Sequence, residues 1–158
     1  MYGVERCYAW IIENAVNISR ITVAVYILLL AFMDIRRREL RLGLLLTGIP
    51  LAVISRIVLG NIPAALVIAG GAAGALFMII SRVTEEAFGY GDSILIMIMG
   101  IFLGIWDLLL MLVTAFFLAS VFSVIMLAGG HYTKKSSFPF VPFLAAAYIG
   151  GMLIGGYG

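Results

Sequence analysis

The chain has 158 residues, of which 64% are hydrophobic and 11% are charged, and its mean hydropathy is +1.18. Soluble domains carry about 25% charged residues, so this composition excludes an ordinary soluble domain. The formal net charge is only +2, and the single cysteine, Cys7, excludes an intramolecular disulfide and a thiolate metal cluster. Long apolar stretches between short charged clusters indicate an integral membrane protein with several spans.

The apolar runs predict an all-α polytopic membrane protein with about six transmembrane helices. Helices are expected because lipid cannot satisfy open backbone groups, and the runs lack the alternation of a barrel. The predicted spans are 17–35, 42–59, 62–83, 92–105, 107–128 and 138–156. An earlier start of the first helix, near Tyr8, is left open. We expect residues 1–158 to form a single membrane-embedded domain.

Glycines are concentrated in the third predicted span, where Gly70, Gly71 and Gly74 give small residues at spacings of three and four. Small residues let helix backbones approach closely when lipid offers no hydrophobic drive for association. The pattern predicts close helix packing of a general kind rather than a specific dimer motif.

Lysine and arginine are distributed unevenly between the two sides of the predicted helices. Seven of the ten lie at the joints after the first, third and fifth spans: Arg36, Arg37, Arg38, Arg41, Arg82, Lys134 and Lys135. The positive-inside rule therefore predicts a multi-pass protein of the cell membrane with these joints in the cytoplasm. Asp34, at the end of the first span, and Asp92, at the start of the fourth, are then placed at the same cytoplasmic depth.

These two acids are the candidate catalytic residues. An acid at the centre of a membrane helix costs about 2.5–3.5 kcal/mol on insertion scales, which points to a use for the charge or the proton. Two carboxyls a few ångströms apart share one proton and can activate water against a peptide carbonyl. Without such a role, Asp34 would be an interfacial charge, and Asp92, like Asp107, a helix N-cap. Gly89 and Gly91 would let a substrate strand approach.

Three features occur in a telling order: Asp34 before a basic stretch, Gly89-Tyr90-Gly91-Asp92 opening a later span, and Pro139 and Pro142 at the start of the last span. In this order they resemble the type IV prepilin peptidases, membrane aspartyl proteases of the G-x-G-D kind. The resemblance implies a hydrolase in which Asp34 and Asp92 are catalytic and Gly89 and Gly91 bind substrate. The implied substrate is a prepilin or pseudopilin with a basic leader, from a type IV pilus or protein secretion system.

The resemblance also bears on the activities and ligands that we do not expect. The cytoplasmic region with paired cysteines that N-methylates the new terminus in larger relatives has no counterpart here, so we expect a peptidase without a methyl donor. No cofactor, metal or nucleic-acid partner is predicted, since the one histidine and the one cysteine lie far apart in the sequence.

Two departures from the family pattern keep alternatives open. Ile94 stands where a lysine often follows the second acid, and Leu40-Arg41-Leu42 replaces a frequent Ile-Pro-Asn. One alternative is an inactive relative that keeps both acids. Another is a small transporter or scaffold whose acids bind protons or a cation. A presenilin-type protease is disfavoured, because Met33 precedes Asp34 and no Pro-Ala-Leu occurs.

Overall fold

The described residues of the computed structural model, 2–37, 42–59, 62–83, 89–129 and 139–155, form six α-helices and no strand. The helices are α1 (Tyr2–Arg37), α2 (Leu42–Leu59), α3 (Ala64–Val83), α4 (Tyr90–Leu103), α5 (Ile105–Ala128) and α6 (Val141–Ile154). The predicted all-α fold with six helices is confirmed. The ends of α2 to α6 lie within three residues of the predicted ones, whereas α1 begins at Tyr2, because no proline interrupts its first turns.

Long and short helices alternate along the chain. Among the described residues, three stretches are long and apolar enough to cross a membrane: Glu13–Arg36 of α1, all of α3 and all of α5. The other helices are apolar but shorter. At about 1.5 Å per residue, α4 and α6 each cover only about 21 Å, against about 30 Å for the hydrocarbon core of a bilayer.

Five helices pack in a closed ring, in the order α1, α2, α4, α5, α6 and back to α1. The remaining helix, α3, lies outside this ring against α4 and α5. A helix that is apolar all round lies either in a protein core or in lipid, and α4 is covered by α2, α3 and α5. Its buried apolar side chains are Ile94, Leu95, Ile96, Ile98, Met99, Phe102 and Leu103. The helix that begins near Asp92 is therefore the central one.

Glycines bring α3 and α4 into very close contact. A Cβ at Gly70 would overlap the carbonyl group of Gly100, and a Cβ at Gly74 would overlap the backbone of Met97. Gly70 and Gly74 are both buried. The predicted close packing is thus a contact within one chain, and it fixes α4 against its neighbour.

Polar and aromatic contacts hold the remaining helices in place. The Tyr26 hydroxyl of α1 donates to carbonyls of α2, with its oxygen 3.2 Å from Leu44 O and 3.1 Å from Leu45 O. A row of aromatic rings runs from α3 through α5 to the start of α6. In this row the ring centres of Phe77 and Phe116 are 6.4 Å apart, and those of Phe116 and Phe140 are 5.0 Å apart.

Candidate active site

The first turn of α4 positions Asp92. The N-cap residue is Gly89 and Asp92 is the third residue of the helix, so the interpretation of Asp92 as an N-cap is wrong. The backbone N–H and the hydroxyl of the fully buried Ser93 both donate to Gly89 O, at 3.2 and 3.3 Å. These bonds tie the turn together around the carboxyl of Asp92.

Gly89 provides space rather than an unusual backbone shape. Its φ of −57° and ψ of 131° are open to any residue. A Cβ at this position would, however, lie 2.8 Å from Asp92 Oδ2, which is too close for carbon and oxygen. The exposed glycine therefore leaves one flank of the carboxyl uncovered. Gly91 follows Tyr90 within the same turn and is half-buried.

Asp34 lies near the end of α1 and is only 7% exposed. Its Oδ2 accepts a hydrogen bond from the backbone N–H of Val141, the first residue of α6, at 3.2 Å. A buried acid with a backbone donor from another helix does not match a solvated interfacial charge. Nothing in the sequence points directly to this donor, since backbone groups leave no residue-type signature. The prolines around it were the available signal.

The ring of helices brings the two acids together. Asp34, from the end of α1, and Asp92, from the start of α4, lie close enough for their charges to interact. The start of α6 reaches the same place through Val141. Three elements that are far apart in the sequence thus meet at one end of the bundle, around two carboxyls.

Ile94, the departure from the family pattern, belongs to the apolar core and is 8% exposed. A lysine with the same direction would have to bury its ammonium group among apolar side chains, which is costly without a partner. Here the position contributes packing to α4. The other departure, around Arg41, falls largely outside the described residues, as do Arg38, Lys134 and Lys135.

In the part of the chain that the structure describes, no three His, Cys, Asp or Glu side chains are grouped so as to hold a metal ion. The two carboxyls at this end can hold and exchange protons. The expected absence of a cofactor and a metal stays a prediction.

A second polar group lies at the other end of α4, and the sequence did not predict it. The Arg56 guanidinium of α2 donates from Nη1 to Phe102 O, in the last turn of α4, at 3.2 Å. Asp107 interacts electrostatically with Arg56 and with Arg20. Asp107 is the third residue of α5, whose N-cap is Gly104, so its interpretation as a cap is wrong. An arginine inside an apolar run was the signal available for this cluster.

Fold and site together define a helical protein that has helices long and apolar enough to span a membrane and a pair of interacting acids at one end of the bundle. The sequence model of the type IV leader peptidase family matches residues 21–129, well over half of the chain. The chain belongs to this family, which confirms the resemblance and supports a leader peptidase activity in general terms. No curated protein and no solved structure matches the chain. The matched range contains Asp34 and Asp92 and ends before α6.

Proposed function

We propose that this protein is a membrane aspartyl endopeptidase that removes leader peptides from prepilins or pseudopilins. Asp34 and Asp92 are its catalytic pair. Gly89 and Gly91 border the path by which the substrate strand reaches them. The proposal makes the enzyme a peptidase without methyltransferase activity.

The observation that carries this proposal is the meeting of the two acids. Asp34 and Asp92 come from different helices, interact electrostatically, and both lie in the range matched by the leader peptidase family. Placing two acids together in a chain this apolar costs free energy. Two neighbouring carboxyls can share one proton, and the proposed chemistry needs that shared proton. A transporter or scaffold has no comparable observation in its favour.

The chemistry needs one ionised and one protonated carboxyl. The ionised carboxyl takes a proton from water, and the water oxygen attacks the carbon of the scissile peptide carbonyl. The protonated carboxyl donates its proton to the carbonyl oxygen, which carries the developing charge. Collapse of the intermediate breaks the C–N bond, and the leaving amine takes a proton from the pair. One water is consumed for each peptide bond cut.

Cleavage is expected on the cytoplasmic side, just ahead of the hydrophobic helix of the substrate. The support is the charge distribution in the sequence: seven of the ten basic residues fall at the joints after the first, third and fifth predicted spans, the side predicted for the two acids. A membrane-impermeant thiol reagent tests this side. In a Cys7→Ser background, Lys135→Cys should be labelled in inside-out vesicles and protected in intact cells. Labelling in intact cells would reverse the orientation.

Cleavage itself is tested by co-expression with a substrate that has a short basic leader, a glycine and a hydrophobic helix. Asp34→Asn and Asp92→Asn should each lower cleavage at least about 100-fold, since each removes a proton-transfer group. Asp107→Asn is the matched control, because Asp107 is the third residue of α5 as Asp92 is of α4. Membrane levels of all variants are compared by immunoblot. Cleavage by both Asp34→Asn and Asp92→Asn at the wild-type rate would refute the pair.

A further inference from the structure

We propose that the backbone N–H of Val141 is a positioning group for Asp34, so that the start of α6 is part of the machinery that cuts the peptide. This inference rests on the proposed function, because it assigns a role within the same acid pair. It adds a third element, one that lies beyond the range matched by the family model.

The N–H groups at the start of α6 leave one donor for Asp34. The first N–H groups of a helix have no partner within it. Here Phe143 N and Leu144 N both donate to Phe140 O, at 3.0 and 3.3 Å. Pro142 has no N–H. The remaining donor among residues 141–144 is Val141 N, and it is bonded to Asp34 Oδ2 at 3.2 Å.

This bond holds the carboxyl of Asp34 in one direction. The last torsion of an aspartate is broad, so the carboxyl plane is set by its partners. A donor that belongs to the helix backbone cannot rotate away, and the positive end of the helix attracts negative charge. With Oδ2 held by Val141, Oδ1 is the oxygen left for water or for Asp92. Catalysis by proton transfer depends on such fixed geometry.

The donor is itself held in place by aromatic contacts. Phe140, just before Val141, stacks on Phe116 of α5 with ring centres 5.0 Å apart. One turn further on, Phe143 packs against Phe122 of α5 with ring centres 5.4 Å apart. The Val141 side chain is fully buried. The start of α6 is therefore anchored to α5 on both sides of the donor, and the N–H is in position before substrate arrives.

The direct test replaces the amide at Val141 with an ester, by incorporating the α-hydroxy acid with the valine side chain. This change removes the N–H and keeps the side chain, and it also makes Phe140 O a weaker ester acceptor for Phe143 N and Leu144 N. The matched control is the same replacement at Phe143, whose N–H donates to Phe140 O at the start of α6 and not to an acid. The expected result at Val141 is a fall in kcat of about tenfold to a hundredfold, the range for a hydrogen bond to a charged group, with KM changed less than about twofold.

The two ester variants separate positioning from folding. The Phe143 ester should lower thermal stability while kcat stays within about threefold of wild type. An equal loss of kcat in both esters, or a wild-type kcat in the Val141 ester, would overturn the proposal.

A measurement that needs no activity keeps this inference separate from the proposed function. In protein labelled with ¹⁵N-valine, the amide proton of residue 141 should move upfield in Asp34→Ala and move less in Asp34→Asn, which keeps an acceptor. If the resonance does not respond to Asp34→Ala, the hydrogen bond is refuted even where the enzyme cleaves. If the resonance responds but Asp34→Asn cleaves normally, the catalytic pair fails and the contact stands as a structural one.

Discussion

Replacing Gly74 with alanine tests whether α3 fixes the position of the helix that carries Asp92. Gly74 lies where α3 crosses α4, and a Cβ there would overlap the backbone of Met97. A backbone cannot turn aside as a flexible side chain can, so the two helices must move apart. Met97 is five residues, or about 7.5 Å along the helix, from Asp92. A shift of α4 at the crossing therefore reaches the acid.

Gly71 supplies the matched control. A Cβ at Gly71 would have Ile101 Cγ1 as its nearest neighbour, at 3.4 Å, an ordinary contact. Both glycines are inside α3, so the gain in helix propensity from alanine, about 1 kcal/mol, is common to both variants. Overpacking a filled site costs about 1–3 kcal/mol. Gly74→Ala should accordingly be about 1–3 kcal/mol less stable than Gly71→Ala.

The assay is unfolding of purified protein in mild detergent, followed alongside cleavage of the prepilin-like substrate. Gly74→Ala should unfold at lower temperature than Gly71→Ala and cleave more slowly. Gly70→Ala, which would overlap the carbonyl of Gly100, should behave like Gly74→Ala. Equal stability and equal cleavage in all three variants would refute the close crossing of α3 and α4.

Two further predictions concern polar contacts between helices. Tyr26→Phe removes the hydroxyl that donates to α2, and it should lower the free energy of unfolding by about 1 kcal/mol in a denaturant titration; an unchanged midpoint would argue against that bond. Arg56→Gln and Asp107→Asn form a double-mutant cycle, because these side chains interact across the far end of α4. The double variant should be more stable than the sum of the single losses predicts, by about 0.5 kcal/mol or more, whereas additive losses would mean no coupling.

The helices could be predicted from the sequence because apolar runs and breakers are local signals. The predicted spans 42–59, 62–83, 107–128 and 138–156 end within three residues of α2, α3, α5 and α6. An earlier start of the first helix, near Tyr8, was left open, and α1 in fact begins at Tyr2. The interpretation of two acids as helix N-caps was wrong. Asp92 and Asp107 were preferred by residue type, but Gly89 and Gly104 precede the helices instead.

The candidate site was predicted in part. Topology alone predicted Asp34 and Asp92 at the same end of the bundle, and in the structure the two acids are near enough to interact electrostatically. Their roles as a catalytic pair stay a prediction. The hydrogen bond from Val141 N–H could not be predicted from the sequence, because every residue except proline has a backbone N–H and only the fold determines which acceptor lies beside it. The same holds for Arg56, whose partner Phe102 O is a carbonyl at the end of another helix.

The shortness of α4 has a consequence for water. Polar groups meet both ends of this helix: Asp92 at its start, and the Arg56 guanidinium at Phe102 near its end. These ends are about 21 Å apart or less, so α4 falls short of the hydrocarbon thickness by about 9 Å. Lipid cannot close this hydrophobic mismatch by thinning, because α2, α3 and α5 surround the helix. We therefore expect the shortfall to be met inside the protein by hydration at the helix ends, which would bring water to the proposed acid pair.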